Sequence, residues 1–200
     1  GQSFTANSAL CSGWTSSEVL QSRWGSDYAA NMQRLQSLAA RTGQAVLLYN
    51  GQPAAACYHA ISSGHTEASQ NVWGGQLPYL CGVDSAWDKF ADGYEVTIQY
   101  SAEQVRTALE ELGLTPDDSP ESWVGASTWD KAGYVRTLEL CGQMVSGLEV
   151  RKALDLRSTC FAIAWRGGQF VITTRGYGHG VGLSQYGAKA MAEGGAGWED

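Results

Sequence analysis

Glycine alternates with other residues in the stretch 173–190, "TTRGYGHGVGLSQYGAKA", where positions 176, 178, 180 and 182 are all glycine. Because glycine has no Cβ, this backbone can turn sharply and approach other groups closely. A dinucleotide-binding fold is excluded, since no window fits G-x-G-x-x-G and too little chain remains for the following strand with its ribose-binding acid. The run predicts a loop that a ligand approaches, with His179 displayed on it; a packed structural histidine is the alternative.

Helix and turn signals divide the N-terminal part of the chain into two helices and a hairpin. The stretch Thr15–Glu18 has a capping-box pattern that opens a helix running to Trp24. Apolar residues at three-to-four spacing predict a second helix from Tyr28, which Thr42-Gly43 ends. The segment 45–60, "AVLLYNGQPAAACYHA", predicts two strands joined by an Asn-Gly turn.

The rest of the chain alternates strand and helix patterns without a regular repeat. A strand runs into a helix within residues 94–114, and Ser101 is the expected N-cap. This order predicts an α+β fold of mixed short strands, hairpins and several helices, in a single domain that can carry a small lobe. Further strands are predicted at 134–141, 161–166 and 170–174, and further helices near 147–154 and 183–192.

The composition narrows the class of ligand. The net charge is −7, and the 13 Lys and Arg residues are scattered, which argues against nucleic acid and anionic membranes as partners. Eight Trp, nine Tyr and 25 Gly with little charge are typical of loop-rich proteins that bind neutral polar ligands such as sugars, although most aromatic residues serve a core. The five cysteines form no C-x-x-C pair, and Cys57, His59 and His65 lack a fourth ligand, so no metal site is predicted.

Residues 58–75, "YHAISSGHTEASQNVWGG", concentrate hydroxyls and two of the three histidines where core material and a regular helix are not expected. Polar loops bounded by glycines commonly carry function on a rigid scaffold. The alternative is a surface loop whose Ser and Thr side chains cap local amides. Glu67 is the sole carboxylate between Asn50 and Val83, and Trp73 could raise its pKa into the range of a general acid. The alternative, and the more common outcome, is an exposed glutamate with an ordinary pKa.

Three sequence blocks occur in an order that matches a known family. They are "YHAISSGHTEASQNVWGGQLPYLCGV" at 58–83, "SGLEVRKALDLRSTCF" at 146–161 and "GYGHGVGLSQYGAKAMAEGG" at 176–195. Together these blocks resemble those of the stage II sporulation protein D family, to which the amidase enhancers are related. Residues 12–56 follow the family pattern more loosely.

The resemblance implies a lytic transglycosylase of bacterial peptidoglycan that acts on glycan strands lacking stem peptides. It implies an extracytoplasmic protein, membrane-anchored through a segment outside this chain, that works with a cell-wall amidase and other engulfment proteins during sporulation. In this chemistry one carboxylic acid protonates the oxygen between N-acetylmuramic acid and N-acetylglucosamine, and the muramyl 6-hydroxyl closes on C1 to give a 1,6-anhydro end. The alternative is a non-catalytic module that binds peptidoglycan or enhances an amidase.

The family acid lies upstream of the YHS-like block, in a Ser-Glu-Met-Pro-like motif that is absent from these 200 residues. Residues 1–200 are therefore expected to be a partial domain whose N-terminal part and extreme C-terminus are missing, and Glu67 is a provisional catalytic acid. Some family members bind zinc through Cys and His residues in the stretch that aligns with the start of this chain. Cys11 fits one of these ligand positions, but Leu10 occupies the place of a neighbouring histidine, so zinc is not expected.

The predicted substrate groove is lined by the loops 58–79 and 176–186. Hydroxyl, imidazole and amide groups are expected to bind sugar hydroxyls and acetamides, whereas Trp73 and Tyr79 are expected to stack on sugar rings or shape the groove. The predicted substrate-binding residues are Tyr58, Ser62, Ser63, His65, Thr66, Trp73, Tyr79, His179, Gln185 and Tyr186.

Overall fold

The computed structural model describes residues 15–43 and 45–199, and it confirms the predicted α+β class. The chain divides into two compact units, Gly1–Ala54 and Ala55–Asp200. All the predicted site residues fall in the larger, C-terminal unit. None of the helices in the described part of the chain has the length and apolarity needed to span a bilayer.

The N-terminal unit contains the two predicted helices and a hairpin that is shorter than predicted, since its returning strand ends at Pro53 and Tyr58–His59 pairs instead with Leu183–Ser184. Helix α1 is capped by Ser16, whose hydroxyl accepts a hydrogen bond from the Val19 amide, so the cap lies one residue after the predicted start of the capping box. Asn50 and Gly51 both have positive φ, which is the geometry of a two-residue hairpin turn. The elements are α1 (Ser17–Trp24), α2 (Tyr28–Thr42), β1 (Leu48–Tyr49) and β2 (Gln52–Pro53).

The C-terminal unit is built from short strands and four helices among its described residues. Two of its sheets have three antiparallel strands each, in the orders β4-β9-β8 and β5-β6-β7, and strands β3 and β10 form a parallel pair. The elements are β3 (Tyr58–His59), α3 (Ser69–Trp73), β4 (Glu95–Tyr100), α4 (Ala102–Glu111), β5 (Val124–Trp129), β6 (Val135–Leu140), β7 (Gln143–Ser146), α5 (Gly147–Ala153), β8 (Phe161–Arg166), β9 (Gln169–Arg175), β10 (Leu183–Ser184) and α6 (Gln185–Glu193).

The apolar core joins the two three-stranded sheets with helices α4 and α5. Helix α4 begins with a complete capping box between Ser101 and Gln104, as the sequence predicts. Its apolar face buries Val105 and Leu109 in a cluster with residues such as Phe170 of the central strand β9. The polar segment 58–75 contributes no residue to this core cluster.

Two features of this unit differ from the sequence prediction. Strands β5 and β7 were not predicted, because β5 carries Gly125 and an irregular register, and β7 follows a turn in which Cys141 has a positive φ. Cysteine rarely adopts that conformation, so the turn lacks the usual Asn-Gly signal. Segment 58–75 was expected to contain no regular helix, yet it contains the short helix α3.

The alternating glycines pack against the protein's own backbone. A Cβ at Gly176 would lie 2.8 Å from the Ile61 carbonyl oxygen, and one at Gly182 would overlap the Cys57 carbonyl. Both residues also have positive φ. Segment 176–184 can therefore run directly alongside residues 57–62, and their close approach forms the β3–β10 pair and the Ile61–Tyr177 bridge.

Gly182→Ala is expected to destabilise the larger unit, because the added methyl would overlap the Cys57 carbonyl and strain a backbone at φ +77°. Gly113→Ala is the matched control, since its φ is +78° and nothing lies within 4 Å of its Cβ position. Backbone strain should cost the control about 1 kcal/mol of unfolding free energy, whereas overpacking should add roughly 1–3 kcal/mol at Gly182. Urea denaturation measures both losses; equal losses would show that the close approach does not matter.

Candidate functional site

The serine and threonine hydroxyl groups of segment 58–75 are turned into the protein. Ser62 and Ser69 are fully buried, and Ser63 and Thr66 are nearly so. The Ser63 hydroxyl donates to the Ala132 carbonyl at 2.8 Å, and the Thr66 hydroxyl accepts from the Val83 amide at 2.9 Å. These bonds resemble those of the capping alternative, but residues 59–69 are buried or partly buried rather than on the surface. Their serine and threonine hydroxyls fix the conformation of the loop.

Asp88 fastens this segment to the start of helix α6. Its carboxylate is fully buried and accepts hydrogen bonds from the Ser62 amide at 2.9 Å and from the Ser184 hydroxyl at 2.7 Å. Sequence reasoning missed Asp88, because nothing in "SAWDKF" separates it from a solvated surface acid.

Tyr134 is a second buried anchor that sequence reasoning missed. Its hydroxyl accepts a hydrogen bond from the Ser63 amide and donates one to the His65 carbonyl, at 3.2 and 3.1 Å. Burial raises the pKa of Tyr134 to about 12, so the phenol stays protonated and can keep donating. Tyr134 therefore links the two residues on either side of Gly64, Ser63 and His65.

Glu67 lies at the centre of a buried polar network, with 3% of its surface exposed. One carboxylate oxygen accepts hydrogen bonds from the Ala68 amide and the Asn71 side chain, each at 2.7 Å. The other oxygen accepts from Arg136 Nη2 at 2.8 Å, and the same nitrogen lies 2.6 Å from Asp130 Oδ2. The Arg136 guanidinium thus forms ion pairs with the carboxylates of both Glu67 and Asp130.

Burial raises the pKa of Glu67, and hydrogen bonding to the neighbouring Asp130 adds to the rise, while the bonds from Asn71 and Ala68 oppose it. Trp73, which we expected to raise this pKa, packs instead on the His179 ring. Glu67 can therefore hold a proton more readily than an ordinary glutamate. Both of its oxygens nevertheless face protein donors, so a glycosidic oxygen could reach the carboxyl only by displacing Arg136 or Asn71.

Two histidines meet at Val181. His59 Nδ1 donates to the Val181 carbonyl at 3.2 Å, because a carbonyl can only accept, and His179 Nδ1 accepts from the Val181 amide at 3.1 Å. The ring centroids lie 5.9 Å apart. Burial lowers the pKa of both histidines, and for His179 the neighbouring His59 lowers it further. The buried His59 Nε2 has no hydrogen-bond partner among the described residues.

One exposed aromatic ring contacts His179, and two more lie on the neighbouring segments. Trp73 is 52% exposed, and its ring centroid lies 5.0 Å from that of His179. Tyr58 and Tyr177 are also exposed, and both stand on the paired segments that carry His59 and His179. We call Tyr58, Trp73, Tyr177 and His179 the aromatic rim. Tyr177 was not among the predicted residues, although its place between the alternating glycines could have indicated it.

The remaining predicted residues are dispersed around this rim. His65 Nδ1 is hydrogen-bonded to the Thr66 carbonyl at 2.7 Å, and its Nε2 lies 3.9 Å from Asp84. The Tyr79 hydroxyl accepts a hydrogen bond from the Ala55 amide at 3.0 Å. Gln185 is exposed at the start of α6, whereas Tyr186 lines a separate cleft with Trp87 and Phe90.

The expectation that zinc is not bound rests on Cys11 and Leu10, and both lie outside the described residues. Within residues 15–43 and 45–199, no three His, Cys, Asp or Glu side chains cluster in a way that could hold a metal ion. The expectation about zinc therefore stays a prediction.

Comparison with known proteins identifies relatives over most of the chain. The sequence is 37% identical to stage II sporulation protein D of Bacillus amyloliquefaciens and 35% identical to that of Bacillus subtilis, in each case over 90% of this chain and 51% of the relative. It is also 26% identical to the amidase enhancer of Bacillus subtilis, over 75% of this chain and 28% of that protein. The chain thus spans about half the length of the two sporulation proteins. No family profile matches it.

Arg136→Met is expected to destabilise the protein, because it leaves Glu67 and Asp130 as two buried carboxylates without their cation. Arg136 is partly exposed, so we expect a loss of about 2–4 kcal/mol in unfolding free energy at pH 7, below the full cost of breaking a buried pair. The loss should shrink as the pH falls, because Glu67, with its raised pKa, takes up a proton at a higher pH than an ordinary glutamate does. Arg175→Met, which breaks the exposed pair with Glu95, should cost about 1 kcal/mol or less. Similar losses for both variants would contradict the buried network.

His59 should make the fold sensitive to acid. Because burial lowers its pKa in the folded protein, its contribution to stability is complete above about pH 6.5, the ordinary value, and is lost as the pH falls toward the folded-state pKa. His59→Asn keeps a donor for the Val181 carbonyl but cannot titrate. Thermal denaturation from pH 8 to pH 5 should show the melting temperatures of wild type and variant converging; a constant gap would show that His59 does not titrate in this range.

Proposed function

Since this chain is related over 90% of its length to the stage II sporulation protein D family, we propose that it binds peptidoglycan glycan strands and serves a lytic transglycosylase reaction. It would work outside the cytoplasm, in sporulation or cell-wall remodelling, with a cell-wall amidase and other engulfment proteins as partners. Kinship with both a sporulation protein and an amidase enhancer supports this role. Membrane anchorage through a segment outside this chain belongs to the same proposal.

The aromatic rim is the observation that carries the proposal. Sugar rings present apolar C–H faces that pack on aromatic rings, while their hydroxyls hydrogen-bond to polar side chains at the edge. Trp73 offers an exposed indole face directly beside the imidazole of His179. The buried network of Glu67, Asp88 and Tyr134 holds the segments beneath this surface in a fixed geometry, which lowers the entropy lost on binding.

The reaction needs one acid to protonate the glycosidic oxygen, after which the muramyl 6-hydroxyl attacks C1. Burial raises the pKa of Glu67, as such an acid requires, but its oxygens accept hydrogen bonds from Asn71 and Arg136. We therefore propose that Glu67 positions the wall of the groove. The acid itself would be the glutamate that the family resemblance places upstream of this chain.

A non-catalytic role is the second candidate. The engagement of Glu67 and the similarity to an amidase enhancer both favour a module that binds glycan and presents it to a hydrolase. The two candidates share the aromatic rim and differ only in whether the glycan is cleaved.

Product analysis with peptide-free glycan strands separates the two candidates. The full-length protein should release strands with 1,6-anhydromuramyl ends, detected by mass spectrometry, and Trp73→Ala should slow their release about tenfold, which corresponds to about 1.4 kcal/mol. Trp198→Ala is the matched control, because this indole is 56% exposed in the C-terminal tail and should not matter. Glu67→Gln should retain product formation at temperatures where it stays folded.

Three results would change the proposal. If the full-length protein releases no anhydromuramyl ends, the non-catalytic candidate replaces the transglycosylase. If a folded Glu67→Gln variant loses all product, Glu67 is the acid. If Trp73→Ala and Trp198→Ala behave alike, the aromatic rim is not the glycan-binding surface.

A further inference from the structure

A cationic cleft of about 550 Å³ lies outside the aromatic rim. Its walls include Ser63, Lys89, Tyr94, Trp129 and Arg175, which come from five separate places in the sequence. We propose that this cleft is a subsite for a carboxylate-bearing sugar of the glycan strand. This inference rests on the proposed function and extends it to a group on the substrate that the rim does not address.

The charge of the cleft is opposite to that of the whole chain. The protein carries 20 acidic residues against 13 basic ones, yet this cleft is lined by Lys89 and Arg175 and by no carboxylate. No acidic group of the described residues lies within ion-pair distance of the Lys89 ammonium. Arg175 uses its Nε to bind Glu95 at 2.8 Å, which leaves its two terminal amino groups for another acceptor. An anion is therefore the ligand that these groups favour.

The exposed residue Lys89 has its aliphatic stem beside Gly64. Gly64, at φ +98°, leaves room for the Lys89 side chain, since a Cβ there would come within 3.2 and 3.3 Å of Lys89 Cγ and Cδ. The preceding residue, Asp88, is fixed by Ser62 and Ser184. The Lys89 stem thus packs across the Ser62–Gly64 bend, which reduces the side-chain entropy that binding would cost.

Trp129 adds the surface that a sugar ring needs. Its side chain is 56% exposed at the end of strand β5, on the wall of the same cleft. Tyr94 is fixed nearby by a 2.8 Å hydrogen bond from its hydroxyl to the Ser63 carbonyl. An exposed indole beside two cations matches a pyranose with a carboxylate substituent, because the ring can stack while the charge pairs with the guanidinium.

Peptidoglycan offers this carboxylate from two sources. Muramic acid carries a lactyl carboxylate on the sugar itself when no peptide is attached, and the stem peptides carry carboxylates of their own. We assign the sugar carboxylate, because it alone brings a charge and a pyranose face to Trp129 and Arg175 together. Ser63 connects the cleft to segment 58–75, which also carries the rim residues Tyr58 and Trp73.

Isothermal titration calorimetry with two matched glycans tests the assignment. One glycan is the peptide-free strand, and the other is the same strand with its lactyl carboxylates converted to methylamides, which removes the charge. The wild-type protein should bind the charged strand about tenfold more tightly. Lys89→Met, which keeps the packing over Gly64, and Arg175→Gln should each lose most of this preference and bind the methylamide strand as the wild type does. Arg166→Gln is the control, because it removes an exposed charge at the far end of strand β8.

The outcomes separate this inference from the proposed function. If wild type binds both strands equally and Trp73→Ala weakens both, the glycan surface stands and the carboxylate subsite is wrong. The same conclusion follows if Lys89→Met and Arg175→Gln retain the preference while remaining folded. If free stem peptide displaces the charged strand, the cleft binds peptide carboxylates and the assignment to the sugar is wrong. If wild type binds neither strand, the proposed function fails and the subsite fails with it.

Discussion

The site depends on one backbone contact, the close pairing of residues 57–67 with residues 176–184. The amides of Ile61 and Tyr177 each donate to the other residue's carbonyl, at 3.1 and 2.7 Å, and the Glu67 amide donates to the Gly180 carbonyl at 2.7 Å. Such an approach needs glycine, because a side chain at these positions would overlap a facing carbonyl or ring. The pairing brings His59 and His179 to the same residue, Val181, and so creates the aromatic rim above it.

The polar groups beneath the rim explain why the segment holds its shape without aliphatic core material. A buried hydroxyl or carboxylate is costly unless its hydrogen bonds are made, and those of Ser62, Asp88, Tyr134 and Glu67 are made within the protein. Satisfied networks of this kind favour a single arrangement, since any displacement leaves a buried group unpaired. The indole of Trp73 stays 52% exposed above these networks.

Much of the fold could be predicted from the sequence, because its signals are local. The cap at Ser101, the Asn50-Gly51 turn and the strand at 161–166 depend on neighbouring residues, and the structure contains them. Strands β5 and β7 could not be predicted, since their own sequences lack a clear strand pattern. Both are held in extended form by antiparallel pairing with β6. For the site, the two loops and His179 were identified correctly as neighbours, whereas Asp88, Tyr134 and Arg136 carry no local signal.

The sequence by itself determined that the polar side chains are concentrated in segment 58–75 and the alternating glycines in segment 176–182, because composition, turn residues and family blocks are local features of the chain. Only the tertiary structure decided what each group does. Glu67 is a provisional catalytic acid in the sequence, but in the structure its carboxylate pairs with Arg136, which lies 69 positions further along the chain. Lys89 and Arg175 likewise line one cleft, although they are 86 positions apart in the sequence. Burial and charge pairing are set by distance in space, which a pattern along the chain does not record.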